Sequence, residues 1–197
     1  MSTGLSSRRA FATRTIFTAL LLLVLLGVGA SVWAFSGYVC VAATDKDNAL
    51  VAWFLHTTYQ RSLDRQSAEV TVPDDLVNDI NVRAGAHLYA QHCVYCHGAP
   101  GVRLDPIGAG ISPRAPDLLA AKRHNGPQST FWVMRHGVKM TAMPAFGKSL
   151  DDSQLWQLAA FLRARRGIDA DGYRALTAPM ADASGDPSTG RKSPLAD

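Results

Sequence analysis

The 197-residue sequence predicts an all-α protein in which one N-terminal transmembrane helix precedes a small helical domain. Three observations carry this. Residues 16–35 (IFTALLLLVLLGVGASVWAF) are an apolar run with no charge, long enough to cross a bilayer as a helix. Residues 151–166 place Leu155, Leu158, Ala159 and Leu162 in one apolar stripe, with caps at one end and arginines at the other. Between these two segments strand patterns are almost absent.

Arg8, Arg9 and Arg14 precede the apolar run, and Trp33 and Tyr38 stand where an interfacial aromatic belt would lie. The positive-inside rule then keeps the N-terminus in the cytoplasm and places everything after about Val41 across the membrane. A cleavable signal peptide is the competing reading. Its apolar core runs to roughly 7–15 residues, shorter than this one, and no clean small-x-small site follows. A lipoprotein cysteine at Cys40 would need a small-residue box, which Gly37-Tyr38-Val39 is not. Residues 1–41 are therefore expected to be a cytoplasmic stub and a single-pass anchor. The formal charge of +4 is modest, comes partly from those arginines, and gives no reason to expect nucleic acid.

Residues 42–73 read as a linker containing a helix over 45–67, with Asp47 as its cap and Leu50, Trp53, Phe54 and Leu63 loosely spaced along it. This helix rests on the membrane surface, on the following domain or on a partner; the sequence leaves the three open. Residues 70–73 read as a short extended link. The compact domain is expected over 74–167. Asn81 caps a helix with Gly85, Leu88 and Tyr89 on one face. Residues 98–114, rich in Gly and Pro, read as an irregular loop. Short helices are expected from Pro116 and over 128–136, before the last helix that Gly167 stops. Residues 168–197, rich in Pro, Gly, Ser, Ala and Asp, read as a disordered tail.

The chemistry lies in Cys93-Val94-Tyr95-Cys96-His97. C-x-x-C-H is the attachment pattern for a c-type haem. Each thiol can form a thioether with one vinyl group, the spacing puts the sulfurs about one helical turn apart, and the histidine follows at once to ligate the iron. A redox dithiol would sit after a strand in a βαβ pattern, and a structural zinc site would need a second ligand pair; neither is present in the sequence. One covalent haem c is expected. A sixth ligand is available in the loop 139–147, which holds Met140 and Met143. A thioether is a soft neutral ligand, and Met/His ligation raises the reduction potential. With both axial positions filled, the iron exchanges electrons without binding a substrate. A haem would also supply apolar surface that a domain of this size lacks.

On Gly85-x-x-x-Tyr89, the attachment motif, Pro116-x-Leu118, Met143-Pro144-Ala145-Phe146-Gly147 and the helix with Trp156 and Phe161, the chain resembles the class I c-type cytochromes, in particular the membrane-anchored monohaem type of bacterial respiratory chains. The likeness covers about residues 83–165. It implies a class I cytochrome c haem domain whose first and last helices cross at Gly85, with Tyr89 and Phe161 packed there. It implies Cys93, Cys96 and His97 as haem-binding residues, and Met143, directly before Pro144, as the second iron ligand in preference to Met140. It implies that Pro116, with Pro113 as runner-up, accepts the ring N–H of His97. His56, His87, His92, His124 and His136 have no such support.

The function expected is electron transfer, not catalysis. A tethered haem domain in the periplasm, on the bacterial inner membrane, would carry single electrons between respiratory complexes or serve as the electron-transfer subunit of a membrane oxidoreductase. Its partners would be redox proteins, with no small-molecule substrate. The competing class is a haem enzyme or gas-binding cytochrome with an open sixth site. A dihaem peroxidase needs two attachment motifs, and a four-helix gas-binding cytochrome carries its motif near the end of the bundle, whereas here the motif opens the domain.

Overall fold

A computed structural model describes residues 3–122 and 126–179, with side chains from Phe11 onward. His124 and the part of the expected tail over 180–197 lie outside the described residues. Among the described residues every regular element is helical, and extended pairing is limited to an isolated bridge between Ala99 and Val102. The chain divides into two units, Met1–Lys46 and Asp47–Asp197. The boundary thus falls a few residues beyond the expected one, and the helix read as part of a linker belongs to the second unit.

The first unit is α1 (Thr3–Phe35), whose stretch Phe11–Phe35 is long and apolar enough to cross a membrane. Three of its hydroxyls are satisfied within the helix. Thr15 donates to the Phe11 carbonyl at 3.0 Å, Thr18 to Arg14 at 2.9 Å and Ser31 to Gly27 at 2.8 Å. In an apolar medium an unpaired hydroxyl costs several kcal/mol, so these bonds make the polar residues compatible with a span.

The second unit holds α2 (Ala49–Ser67), α3 (Asp79–His92), α4 (Val94–His97), α5 (Pro106–Ala109), α6 (Pro127–His136), a 3-10 turn (Phe146–Lys148), α7 (Asp152–Ala164) and α8 (Ala170–Thr177). Its centre is the crossing of α3 and α7. Tyr89, Leu155, Leu158 and Phe161 are fully buried there, with Tyr89 and Phe161 in tilted ring contact at 5.4 Å. Burying each contributes roughly 2 kcal/mol. The helices approach closely because Gly85 has no side chain: a Cβ there would lie 2.0 Å from the Gln157 carbonyl oxygen and 2.9 Å from Phe161 Cβ. α6 packs on the other flank of α7, where Phe131 stacks on Trp156 at 4.1 Å. α7 begins with a capping box, in which Asp151 accepts from Gln154 N–H at 2.9 Å and the Gln154 side chain accepts from Asp151 N–H at 3.0 Å.

Several local expectations need correction. Asn48, the residue after Asp47, caps α2, and Asn78, about one turn before Asn81, caps α3; each reaches open N–H groups of its helix. The loop 98–114 contains α5, which starts at Pro106 with Asp105 accepting from Ile107 N–H. No helix begins at Pro116. There Asp117 folds back to accept from Leu119 N–H at 2.9 Å, and the Leu119 carbonyl accepts from Gly167 N–H at 2.7 Å, a long-range bond that outcompetes a local helical turn. The expected disordered tail fails over Ala170–Thr177. Asp169 caps α8, and Tyr173 is buried against Tyr89 and Phe161 at 6.3 and 6.4 Å between ring centres. The polar bulk composition of 168–197 obscured one short amphipathic helix.

Substitutions at two positions test this packing. Gly85→Ala favours an isolated helix but collides with the α7 backbone, and is expected to cost about 3 kcal/mol or more. The Tyr173 hydroxyl is buried with no hydrogen-bond partner among the described residues. Tyr173→Phe should therefore be neutral or stabilising, while Tyr173→Ala should cost about 3–5 kcal/mol. Denaturant unfolding midpoints of the three variants measure both effects.

Candidate functional site

The site is built where α3 runs out. Cys93 closes α3 through its N–H to the Tyr89 carbonyl at 2.9 Å, and its own carbonyl then accepts from Cys96 and His97 at 3.2 and 2.9 Å. The result is one further helical turn, α4, ended by Gly98 at φ 68°. That turn is clamped from two sides. The Tyr89 hydroxyl donates to the Gly98 carbonyl at 2.7 Å. α5 lies so close that a Cβ on Gly108 would sit 2.1 Å from the Tyr95 carbonyl oxygen. Cys93 and Cys96 are both free thiols, Cys93 buried and Cys96 half-buried.

Burial pushes the Cys93 thiol up to about 12, with a smaller contribution from neighbouring Cys96. Its neighbour Tyr173 is likewise pushed up to about 12, first by burial and then by Cys93. Both groups are neutral at physiological pH.

His97 Nδ1 lies 2.7 Å from the Pro116 carbonyl oxygen. A carbonyl only accepts, so in the neutral ring the proton sits on Nδ1 and the lone pair on Nε2. The Asp117 turn and the Leu119–Gly167 bond hold Pro116 in place, with Leu119 buried.

The methionine loop is equally constrained. Gly137 ends α6 at φ 68°, and a Cβ there would lie 2.8 Å from the Met143 oxygen, Pro144 C and Ala145 N. Val138 N–H donates to the Met143 carbonyl at 3.1 Å, and the Thr141 hydroxyl donates to the Val138 carbonyl while accepting from Met143 N–H. The two methionines part company here. Met140, at φ 60°, is 97% exposed, whereas Met143 is half-buried and packs on the same apolar cluster that holds Cys93. The loop and the end of α3 meet through the rings of Phe146 and His92, 6.3 Å apart. Gly108, Gly137 and Thr141 were not singled out from the sequence, although a glycine directly after α6 is a recognisable helix stop.

A histidine with a fixed tautomer, two thiols on one turn and a loop thioether form a donor set suited to haem iron and its vinyl groups. The family model described as cytochrome c oxidase, cbb3-type, subunit III matches residues 80–162, from the start of α3 to the end of α7. Those residues form a c-type cytochrome domain. Such domains carry haem c and transfer electrons, so the coarse class of this chain is an electron-transfer protein that works with redox partners. No curated protein matches the chain. The cytochrome match stops short of α2 and α8.

Alkylation of haem-free chain checks the local environment of the thiols. Exposed Cys40 should react first with iodoacetamide at pH 8, and Cys93 last. Cys93 labelling should rise only as the pH climbs towards about 12, because the thiolate is the nucleophile and burial holds the proton on. Peptide mass spectrometry over a pH series reads the order.

Proposed function

We propose that the protein is a membrane-tethered monohaem cytochrome c that passes single electrons between partners at a bacterial inner membrane, its haem domain in the periplasm. The observation that carries the reading is the 2.7 Å contact from His97 Nδ1 to the Pro116 carbonyl, made on a turn that also presents Cys93 and Cys96. In this reading Cys93 and Cys96 hold the haem as thioethers, and His97 and Met143 are the axial ligands. Bound there, the haem supplies a one-electron couple. Pro116 orients the His97 ring and increases its donor strength. Gly137 and Thr141 hold the backbone of Met143 in register. The half-buried setting of Met143 supports a closed sixth position, and with it a carrier rather than a haem enzyme.

The family match is named for an oxidase subunit, which supports the narrower possibility that this chain delivers electrons within a respiratory oxidoreductase complex. Its contact surface would be the motif side of the domain. Tyr95, Val102, Ile107 and Met140 are exposed apolar residues there and in the methionine loop, and Arg103, Lys139 and Lys148 are exposed cations in the same segments. The acidic residue nearest in sequence to Arg103, Asp105, is engaged in capping α5. Such a patch suits an acidic partner surface.

Holoprotein variants test the ligand set. Met143→Ala should abolish the weak red absorption band of the oxidised protein and lower the midpoint potential, while Met140→Ala leaves both unchanged. The reverse pattern rejects Met143. Removing either thiol should leave a single thioether, seen as an altered absorption maximum of the reduced haem. Electron-transfer rates to an acidic partner should fall as salt rises; a flat profile rejects docking by these cations.

A further inference from the structure

We propose that the Tyr173 hydroxyl donates a hydrogen bond to the Cys93 sulfur once that sulfur carries the haem, and thereby raises the reduction potential. The inference rests on haem attachment at Cys93 and deepens the electron-transfer reading. Residue 173 stands on α8, beyond the matched residues 80–162, so the family likeness says nothing about it. A hydroxyl is stranded there. Tyr173 is 3% exposed, its ring packs on Tyr89 and Phe161, and its hydroxyl oxygen is buried with no partner among the described residues. A phenylalanine would fill the same space without burying an unpaired polar group. Neighbouring Tyr89 differs, because its hydroxyl is committed to the Gly98 carbonyl. A stranded donor in a folded core points to a group that completes the site.

Cys93 supplies the acceptor. It lies in the same apolar cluster as Tyr173 and is only 6% exposed. Charge on Cys93 is felt at the phenol, which places the two groups close together in a dry pocket. Attachment adds the thiol across a haem vinyl group. The S–H bond and the vinyl π bond break, an S–C bond forms, and the hydrogen ends on the adjacent carbon. The sulfur thereby loses its own donor and keeps only lone pairs. Tyr173, neutral at physiological pH, still has its proton to give. Cys96 needs no such donor, because it is half-buried and within reach of water. The consequence is electrostatic. The O–H dipole turns its positive end towards the haem in a region of low dielectric. Ferric haem carries one more positive charge than ferrous haem, so the dipole disfavours the oxidised state. Hydrogen bonding around a haem is one of the levers on its potential. A thioether is a weak acceptor, so this bond adds little to stability and is read in the potential instead.

The test uses the full haem-loaded chain in detergent micelles. Midpoint potentials are measured for the unaltered chain, Tyr173→Phe and Leu176→Ala. Leu176 packs against the same core, so Leu176→Ala loosens α8 while keeping the hydroxyl. Tyr173→Phe should lower the midpoint, and Leu176→Ala should leave it near that of the unaltered chain. In the diamagnetic ferrous protein the Tyr173 hydroxyl proton should show nuclear Overhauser contacts to the β protons of Cys93, and the signal should vanish in Tyr173→Phe. An unmoved potential in Tyr173→Phe overturns the proposal. An equal fall in Leu176→Ala also overturns it, because α8 then acts through packing alone. A hydroxyl proton that contacts water instead of Cys93, or one too exchangeable to be seen, overturns it as well. Mass spectrometry of the Cys93 peptide separates the two readings: a missing haem adduct overturns attachment and hydrogen bond together, whereas an intact adduct with an unmoved potential overturns the hydrogen bond alone.

Discussion

The close approach of α3 and α7 at Gly85 is the constraint on which the rest of the domain depends. A single missing Cβ lets the Gln157 carbonyl pass where a side chain would stand. The approach brings Tyr89 and Phe161 into ring contact and closes a core of fully buried residues around them. It also sets the direction in which α3 ends, and α3 ends in the attachment motif. Loosening the crossing would therefore reach the site through Tyr89 itself, whose ring lies in the core and whose hydroxyl holds Gly98.

Around that crossing, the candidate site is made of backbone bonds more than of side chains. α4 is a single turn held by the Cys93 carbonyl, too short to stand alone. Gly108 lets α5 press against it, and Gly137 lets the methionine loop fold tightly onto itself. Pro116 takes part through its carbonyl. What orients it is a chain of contacts running through Asp117 and Leu119 to Gly167, just beyond α7. Reactive side chains are thus placed by neighbours with no redox chemistry of their own. The burial that neutralises Cys93 has the same origin, since α3, α7 and α8 exclude water from its thiol.

Much of this was legible in the sequence, for physical reasons. A five-residue motif that combines two thiols and an imidazole is local, and local chemistry survives without knowledge of the fold. The stripe on α7 and the apolar run of α1 are periodic signals, which sequence shows best. Cap positions slipped because two candidate residues lay within a turn of each other, and only the backbone path decides which one reaches the open N–H groups. The segment at Pro116 was misread because its partner, Gly167, is about fifty residues away. α8 was missed because one buried tyrosine in a polar stretch has no periodic signature.

By itself the sequence determined the class of the protein: helical, with an apolar N-terminal run and a haem-attachment motif, since these depend on residue identity and spacing alone. It also narrowed the loop to two methionines. The tertiary structure decided what depends on distant partners. It turned Met140 out to solvent and Met143 towards the core, because only the folded loop fixes which side chain the Gly137 turn directs inward. It brought Pro116 to His97, and it recruited α2 and α8 beyond the matched cytochrome residues. Burial, hydrogen bonding across the chain and steric access at a glycine are properties of surfaces brought together, and no single stretch of sequence contains them.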